Sequence, residues 1–285
     1  MNRREAIQGL GAAALVGAVA PAAEGVAAAA LQGRLHQSVA RWCYSSMPIE
    51  DLCAAVAGLG MPAIDLLEIE EWPVARDHGL TVSVGMPKAG TIEEGINDPR
   101  NHAAIIDGFR HNIPKAAAAD IPNVITFFGN HVRGMTRADA LSHSVACMRE
   151  CARIAEDHGV TIVIEMLNSK VDHIGYIGDT TAWGVEIVEA VGSERVKLLY
   201  DIYHMQIMEG DVIRTIRDNH EFFAHYHTGG VPGRAEIDKT QELFYPAIVR
   251  AILATGFDGY LAHEFIPRSD DPIGSLAAAV QLCDV

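Results

Sequence analysis

The sequence has few cysteines, and their number and spacing do not fit a disulfide framework. Five cysteines occur among 285 residues, and no pair has the CxxC spacing of zinc ribbons and redox motifs. Cys147 and Cys151 lie four residues apart on a predicted helix and share one face, so we interpret them as small core residues. A disulfide-rich fold and a cysteine-based zinc site are therefore both disfavoured.

Basic residues are also scarce. Lys and Arg total 22 against 37 Asp and Glu, which gives a formal net charge of −15. Proteins whose main task is to bind nucleic acid usually carry a basic cluster, and none is apparent along this chain. The excess of acid is compatible with metal binding, although most acidic side chains are expected on solvated helix surfaces.

The apolar run near the N-terminus, residues 7–20, is too short for a comfortable membrane span. It follows Arg3 and Arg4 and precedes a stretch of small residues that ends before Leu31, which is the layout of an export signal. The paired arginines resemble a twin-arginine signal. We therefore predict a signal segment over residues 1–31, a periplasmic mature chain without stable membrane insertion, and one folded domain over residues 32–285. The alternative is a helical or disordered extension.

The remainder of the chain alternates apolar runs with segments of helical spacing. Eight runs are predicted to be strands: residues 35–40, 63–68, 80–84, 123–128, 160–165, 196–201, 222–227 and 259–264. Eight strand and helix units of about 32 residues each predict a single (β/α)8 TIM barrel of the α/β class. A doubly wound open sheet is the alternative, but the chain has no GxGxxG turn after an early strand.

Each of the last four predicted strands ends on a residue that can bind a metal. These residues are Glu165, Asp201, His227 and Glu264. The carboxyl ends of barrel strands converge on one pocket, so we expect the four side chains to meet. Three carboxylates and one imidazole suit Mn²⁺ or Mg²⁺, and Co²⁺ or Zn²⁺ is compatible with the same set. A lone acid at a strand end is more often a helix cap, but four successive strand ends favour a metal site.

Several motifs in the second half of the chain resemble the hydroxypyruvate isomerase family within the xylose-isomerase-like TIM barrels. They are IEMLN at 164–168, DIYHMQ at 201–206 and GGVPGR at 229–234, with Glu264 after YLAH. The resemblance implies a divalent metal held by the four residues above. It also implies that Glu165 and Glu264 form the acid/base pair, and that His204 and Arg234 contact substrate oxygens.

For other polar residues the sequence is compatible with more than one role. Asn168 follows the first predicted ligand and is predicted to bind substrate or a neighbouring group, or to form a turn. The alternative role for His204 is a residue at the start of a helix that bonds to solvent. The alternative role for Arg234 is a surface ion pair. His225 and His263 are interpreted as core histidines that point away from the barrel interior.

These residues predict an isomerase that moves a carbonyl to the neighbouring carbon through an enediolate. A carboxylate removes the proton, an acid returns one, and a divalent metal stabilises the negative charge on oxygen. The expected substrate is a small hydroxy-keto acid or sugar. A ketose 3-epimerase is the main alternative, followed by a non-catalytic sugar-binding barrel and a metal-dependent nuclease. The sequence leaves the exact substrate, the metal and any homo-oligomer open.

Overall fold

The computed structural model describes residues 31–285, so the predicted export signal in residues 1–30 lies outside the described residues. All eight predicted strands are present in the described part of the chain. They are β1 (His36–Val39), β2 (Ala63–Ile64 and Leu67–Glu68), β3 (Thr81–Val82 and Val84–Met86), β4 (Asn123–Phe127), β5 (Thr161–Glu165), β6 (Val196–Asp201), β7 (Phe223–Thr228) and β8 (Tyr260–His263). β2 and β3 are each interrupted once, whereas the other six are continuous.

The strands are parallel and pair in the order β1-β8-β7-β6-β5-β4-β3-β2. The two ends of this sheet meet at Asp65. Its backbone N–H donates to the Val39 carbonyl at 2.8 Å, and its carbonyl accepts from the Arg41 N–H at 3.0 Å. The described chain therefore has the predicted TIM-barrel-like fold, with the carboxyl ends of all strands at one rim.

Nine α-helices occur within residues 31–285. They are α1 (Ile49–Gly58), α2 (Trp72–Asp77), α3 (Pro99–Ala118), α4 (Arg137–His158), α5 (Thr181–Val191), α6 (Ile202–Met208), α7 (Val212–Asn219), α8 (Tyr245–Ala254) and α9 (Pro272–Cys283). The helix α4 shows why these segments form: Thr136 and Asp139 make a capping box at its start. Gly159 ends it in the left-handed conformation, with φ of +71°.

The helices cover the outer face of the barrel, which buries its strands on both faces. Four consecutive residues of β5, Ile162–Glu165, are buried, as expected for a parallel strand between a filled interior and a helix layer. Close packing requires Gly184 on α5, because a Cβ there would lie 2.9 Å from both methyl groups of Leu198 on β6. Among the described helices, none combines the length and apolar character needed to cross a membrane.

Candidate metal centre

The four predicted ligands come together at the carboxyl rim of the barrel. Glu165 and Asp201 end β5 and β6, His227 is the penultimate residue of β7, and Glu264 directly follows β8. One potential ligand atom from each lies within 4.8 Å of the others, and all four side chains are buried. Because β5, β6, β7 and β8 are adjacent in the barrel, four residues spread over the second half of the sequence form one cluster.

The nitrogen and oxygen atoms of this cluster are arranged better for binding a cation than for hydrogen bonding to one another. His227 Nδ1 lies 2.7 Å from Glu264 Oε2 and 3.4 Å from Glu165 Oε1. Yet neither Nδ1 nor Glu165 Oε1 has a partner in hydrogen-bonding geometry, although both atoms are buried. Buried polar atoms without hydrogen-bond partners are costly unless something compensates them. The residues present therefore suit a divalent ion, which needs lone pairs that converge from several directions.

The two glutamates differ in their surroundings. Both oxygens of Glu264 are engaged, since Trp42 Nε1 donates to Oε1 at 2.6 Å and the Arg234 guanidinium donates to Oε2 at 2.6 Å. Burial by itself raises the pKa of Glu264, but Arg234 and His227 outweigh it and hold that pKa well below its usual range. Burial raises the pKa of Glu165, whose Oε1 has no donor. Glu165 is thus the more basic of the pair.

Asp201 and Arg234 complete the charge pattern of the cluster. Burial raises the pKa of Asp201 to about 8, and Arg234, whose guanidinium lies 3.2 Å from Asp201 Oδ2, opposes that rise. Arg234 is itself sandwiched near two aromatic rings, with its guanidinium carbon 5.1 Å from the centre of Trp42 and 5.2 Å from that of Tyr203. The structure therefore places Arg234 at the cluster, where its donors face carboxylates and the cavity above them.

His204 is buried beside Asp201 in a defined tautomer. The Asn168 backbone N–H, which can only donate, lies 3.1 Å from His204 Nδ1, so the neutral ring carries its proton on Nε2. Burial lowers the pKa of His204 well below its ordinary value, which keeps the ring neutral. Nε2 has no hydrogen-bond partner and lies 3.6 Å from Asp201 Oδ2. The ring therefore offers one N–H donor at the cluster.

Asn168 is fully buried, and its polar atoms bond within the protein. Its Oδ1 accepts from the backbone N–H groups of Val171 and Asp172, and its Nδ2 donates to Asp172 Oδ2 at 2.6 Å. These bonds shape the loop after β5 and hold Asn168 against His204. Contact between Asn168 and a substrate stays a prediction. In the structure Asn168 contacts the loop after β5 and the ring of His204.

The prediction for His225 was wrong. His225 and His227 are two residues apart on one strand and so share a face, which is the barrel interior. His225 Nε2 lies 3.3 Å from Asp65 Oδ1, and His227 Nε2 lies 2.9 Å from Asp65 Oδ2. His263, one residue before Glu264, does point outward, where its Nε2 bonds to Gln37 Oε1 at 2.9 Å.

Two residues of the first half of the chain contact the ligands and were not predicted from the sequence. Trp42 follows β1 and bonds to Glu264, and Asp65 lies at the break in β2 and bonds to His227. The signal for Asp65 is a carboxylate inside the apolar stretch AIDLL. Trp42 has no comparable signal, because an aromatic residue after a strand usually belongs to the core.

A cavity of about 330 Å³ opens above the cluster. Its wall includes Trp42, Asp172, His173, Tyr203, Arg234 and Ile266. This volume is at the small end of ligand pockets and suits a small substrate. Trp42 and Arg234 connect this cavity to the cluster, because both donate to Glu264. A larger cleft of about 610 Å³ lies between residues 236–246 and α9, and neither of these two residues lines it.

Comparisons with known proteins identify relatives that share this fold. A family model described as xylose isomerase-like TIM barrel matches residues 68–283. A human protein named "Putative hydroxypyruvate isomerase" is 25% identical over 240 residues, covering 78% of this chain and 86% of the relative. A D-psicose 3-epimerase from Ruminiclostridium cellulolyticum is 25% identical over 232 residues, covering 77% of this chain and 75% of the relative. The crystal structure of an AP endonuclease, family 2, from Brucella melitensis superposes with a TM-score of 0.76 at 23% identity. That superposition covers 86% of this chain and 98% of the other.

Proposed function

The chain belongs to the xylose isomerase-like TIM barrel family, and from this premise we propose that this enzyme is a metal-dependent isomerase of a small hydroxy-keto acid or sugar. The observation that carries the proposal is His227 lying between two glutamates, 3.4 Å from Glu165 and 2.7 Å from Glu264, at the rim of the barrel. Two carboxylates at one site can remove a proton from a carbon and return it elsewhere.

The chain's own groups divide the work in this proposal. Glu165, with a raised pKa and an oxygen without a donor, takes the proton next to the carbonyl. Glu264, held ionised by Arg234 and Trp42, serves as ligand and as the second proton carrier on the other side. The neutral His204 donates its Nε2–H to a substrate oxygen, and Arg234 binds a carboxylate or a distal hydroxyl.

The metal would be held by Glu165, Asp201, His227 and Glu264, with Mn²⁺ or Mg²⁺ preferred by the oxygen-rich set and Co²⁺ or Zn²⁺ also compatible. When bound, such an ion stabilises negative charge that develops on the substrate oxygens during proton removal. His227 must give up its Nδ1 proton to act as a ligand. The pKa of His227 is raised, because the neighbouring carboxylates outweigh the opposing effect of burial, so binding a metal through Nδ1 would displace a proton.

A ketose 3-epimerase is the second candidate function. It is supported by the similarity to D-psicose 3-epimerase, which has the same identity and nearly the same coverage of this chain as the hydroxypyruvate isomerase relative. Both reactions need proton removal next to a carbonyl and differ in where the proton returns. The same two glutamates serve either product.

The experiment that tests the proposal incubates the metal-loaded protein with a panel of hydroxy-keto acids and ketoses in D2O. We expect deuterium to enter the carbon next to the carbonyl of at least one compound. An aldehyde or aldose product supports the carbonyl-shifting isomerase, and an epimeric ketose supports the epimerase. Binding of sugars without any deuterium entry would contradict both and favour a non-catalytic barrel.

We also propose export of the mature chain, on the basis of Arg3, Arg4 and the small residues before Leu31. Fractionation of the native host tests it. Changing both arginines to lysine should leave uncleaved precursor in the cytosol. Uncleaved wild-type protein in the cytosol would contradict export.

A further inference from the structure

Asp65 is a fully buried carboxylate at the break in β2, and three side chains that can donate a hydrogen bond lie near its oxygens. Ser83 Oγ lies 2.5 Å from Oδ1 and His225 Nε2 lies 3.3 Å from the same oxygen. His227 Nε2 lies 2.9 Å from Oδ2. Asp65 thus contacts His227, one of the four clustered residues, at Nε2, while Nδ1 of the same ring faces the cluster.

We propose that Asp65 is a positioning residue that holds the proton of His227 on Nε2 and so keeps Nδ1 available as a metal ligand. The inference deepens the proposed function and rests on it. An imidazole that ligates through one nitrogen carries its proton on the other, and a hydrogen-bond acceptor there fixes both the tautomer and the ring plane. Nδ1 is the nitrogen of His227 that faces Glu165 and Glu264.

The charge of Asp65 matters as much as its place. An ionised carboxylate can only accept hydrogen bonds, so it requires the proton of His227 to be on Nε2. An asparagine of the same size can turn its amide to donate, which favours the opposite tautomer with its proton on Nδ1. Ser83 restricts the carboxylate further, because its hydroxyl engages Oδ1 and leaves Oδ2 for His227.

The outer layer of the barrel offers a matched control. His263 is also fully buried, and its Nε2 bonds to Gln37 Oε1 at 2.9 Å. Gln37→Met removes that partner at similar volume without touching the cluster. Gln37→Met therefore removes the acceptor of a buried histidine, and Asp65→Asn replaces an obligate acceptor with an amide that can donate instead, but only Asp65→Asn affects a proposed ligand.

The experiment titrates metal-free wild type, D65N and Q37M with Mn²⁺ and follows the free aqua ion by electron paramagnetic resonance. Loss of a partner behind a ligating histidine typically weakens metal affinity by about 10- to 100-fold. We expect a loss of that size for D65N and an unchanged affinity for Q37M, with circular dichroism confirming that both variants are folded.

The possible failures can be told apart. Wild type that binds no Mn²⁺ contradicts the proposed function itself. Wild type that binds Mn²⁺ while D65N binds it equally well overturns the role of Asp65. Equal weakening in D65N and Q37M overturns it too, because general loosening would then explain both. Two Mn²⁺ per wild-type chain and one in D65N would make Asp65 a ligand instead.

A second measurement keeps the inference testable if D65N does not fold. In wild-type protein loaded with diamagnetic Zn²⁺ and labelled with ¹⁵N-histidine, NMR reports which ring nitrogen of His227 carries the proton. We expect a protected proton on Nε2. An unprotonated Nε2 would overturn the inference.

Discussion

The two halves of the barrel are built differently. β5, β6, β7 and β8 are unbroken strands, and each delivers one acid or histidine of the cluster at or beside its carboxyl end. In the first half, β2 and β3 are interrupted, near Asp65 and at Ser83. Those two residues contact each other in the barrel interior, and Asp65 contacts His227 on the opposite half.

This difference indicates a division of roles. The second half supplies the four clustered side chains, and the first half contacts two of them, with Asp65 bonded to His227 and Trp42 bonded to Glu264. A charged cluster in a buried site needs such partners, because its lone pairs would otherwise be unsatisfied. Substitutions in the second half should therefore abolish binding or turnover, and those in the first half should weaken them.

The largest effect is expected for Asp201→Asn in the second half. We expect Mn²⁺ affinity to fall by more than roughly 100-fold, beyond the usual effect of a residue behind a ligand. Folding should persist, because asparagine also caps helices well and Asp201 caps α6. The control is Asp98→Asn, the same change at the cap of α3. Isothermal titration of both variants checks this, and equal Mn²⁺ affinities would contradict it.

The next effect concerns the two glutamates. We expect Glu165→Gln and Glu264→Gln each to lower turnover by about 10²- to 10⁴-fold or more. This range is the usual contribution of general acid/base catalysis to the rate. At saturating Mn²⁺ the metal should remain bound, since glutamine keeps one coordinating oxygen even though the affinity falls. Because Glu165 is the more basic, Glu165→Gln should lose deuterium exchange as well, and Glu264→Gln should retain some. Near-normal turnover in either variant would make the two-glutamate account wrong.

A smaller effect is expected for Trp42→Phe in the first half. It removes the N–H that donates to Glu264, and hydrogen bonds to charged groups are worth about 1.5–3 kcal/mol. We expect turnover to fall roughly tenfold or more while the metal stays bound. Trp72→Phe is the matched control, because Trp72 Nε1 bonds to the Leu67 carbonyl away from the cluster. If both variants lose the same turnover, Trp42 has no specific role.

The smallest effect is expected for Ser83→Ala. Its hydroxyl bonds to Asp65, and we expect Mn²⁺ affinity to weaken by a few-fold, on the order of 1 kcal/mol. Ser144→Ala removes a buried hydroxyl that bonds within α4 and should leave the affinity unchanged. A larger loss in Ser83→Ala than in Asp65→Asn would reverse the order of the two residues and contradict the account.

Regular patterns made the second half predictable. The eight strands and the four clustered ligands follow from apolar runs and from the polar residue at each strand end, because parallel strands place those ends together. His204 and Arg234 were also expected at the pocket, and both lie at the cluster. Their exact partners were not predictable, because the tautomer of His204 depends on the backbone of Asn168.

The first half was less predictable because its contributions depend on long-range contacts. Asp65 and His227 are 162 positions apart in sequence, and Trp42 and Glu264 are 222 apart. The error at His225 came from treating two residues of the same face as alternating. In a strand, neighbours point to opposite faces and residues two apart share one, so the interior histidine pair was already implicit in AHYH.

We propose that one divalent ion is held by Glu165, Asp201, His227 and Glu264 and is needed for proton transfer. Elemental analysis of the purified wild-type protein, combined with deuterium exchange before and after chelation, tests it most directly. We predict one divalent ion per chain, loss of exchange on chelation, and recovery on adding Mn²⁺ or Mg²⁺. Protein that contains no divalent ion and exchanges deuterium equally well with and without chelator would contradict the account.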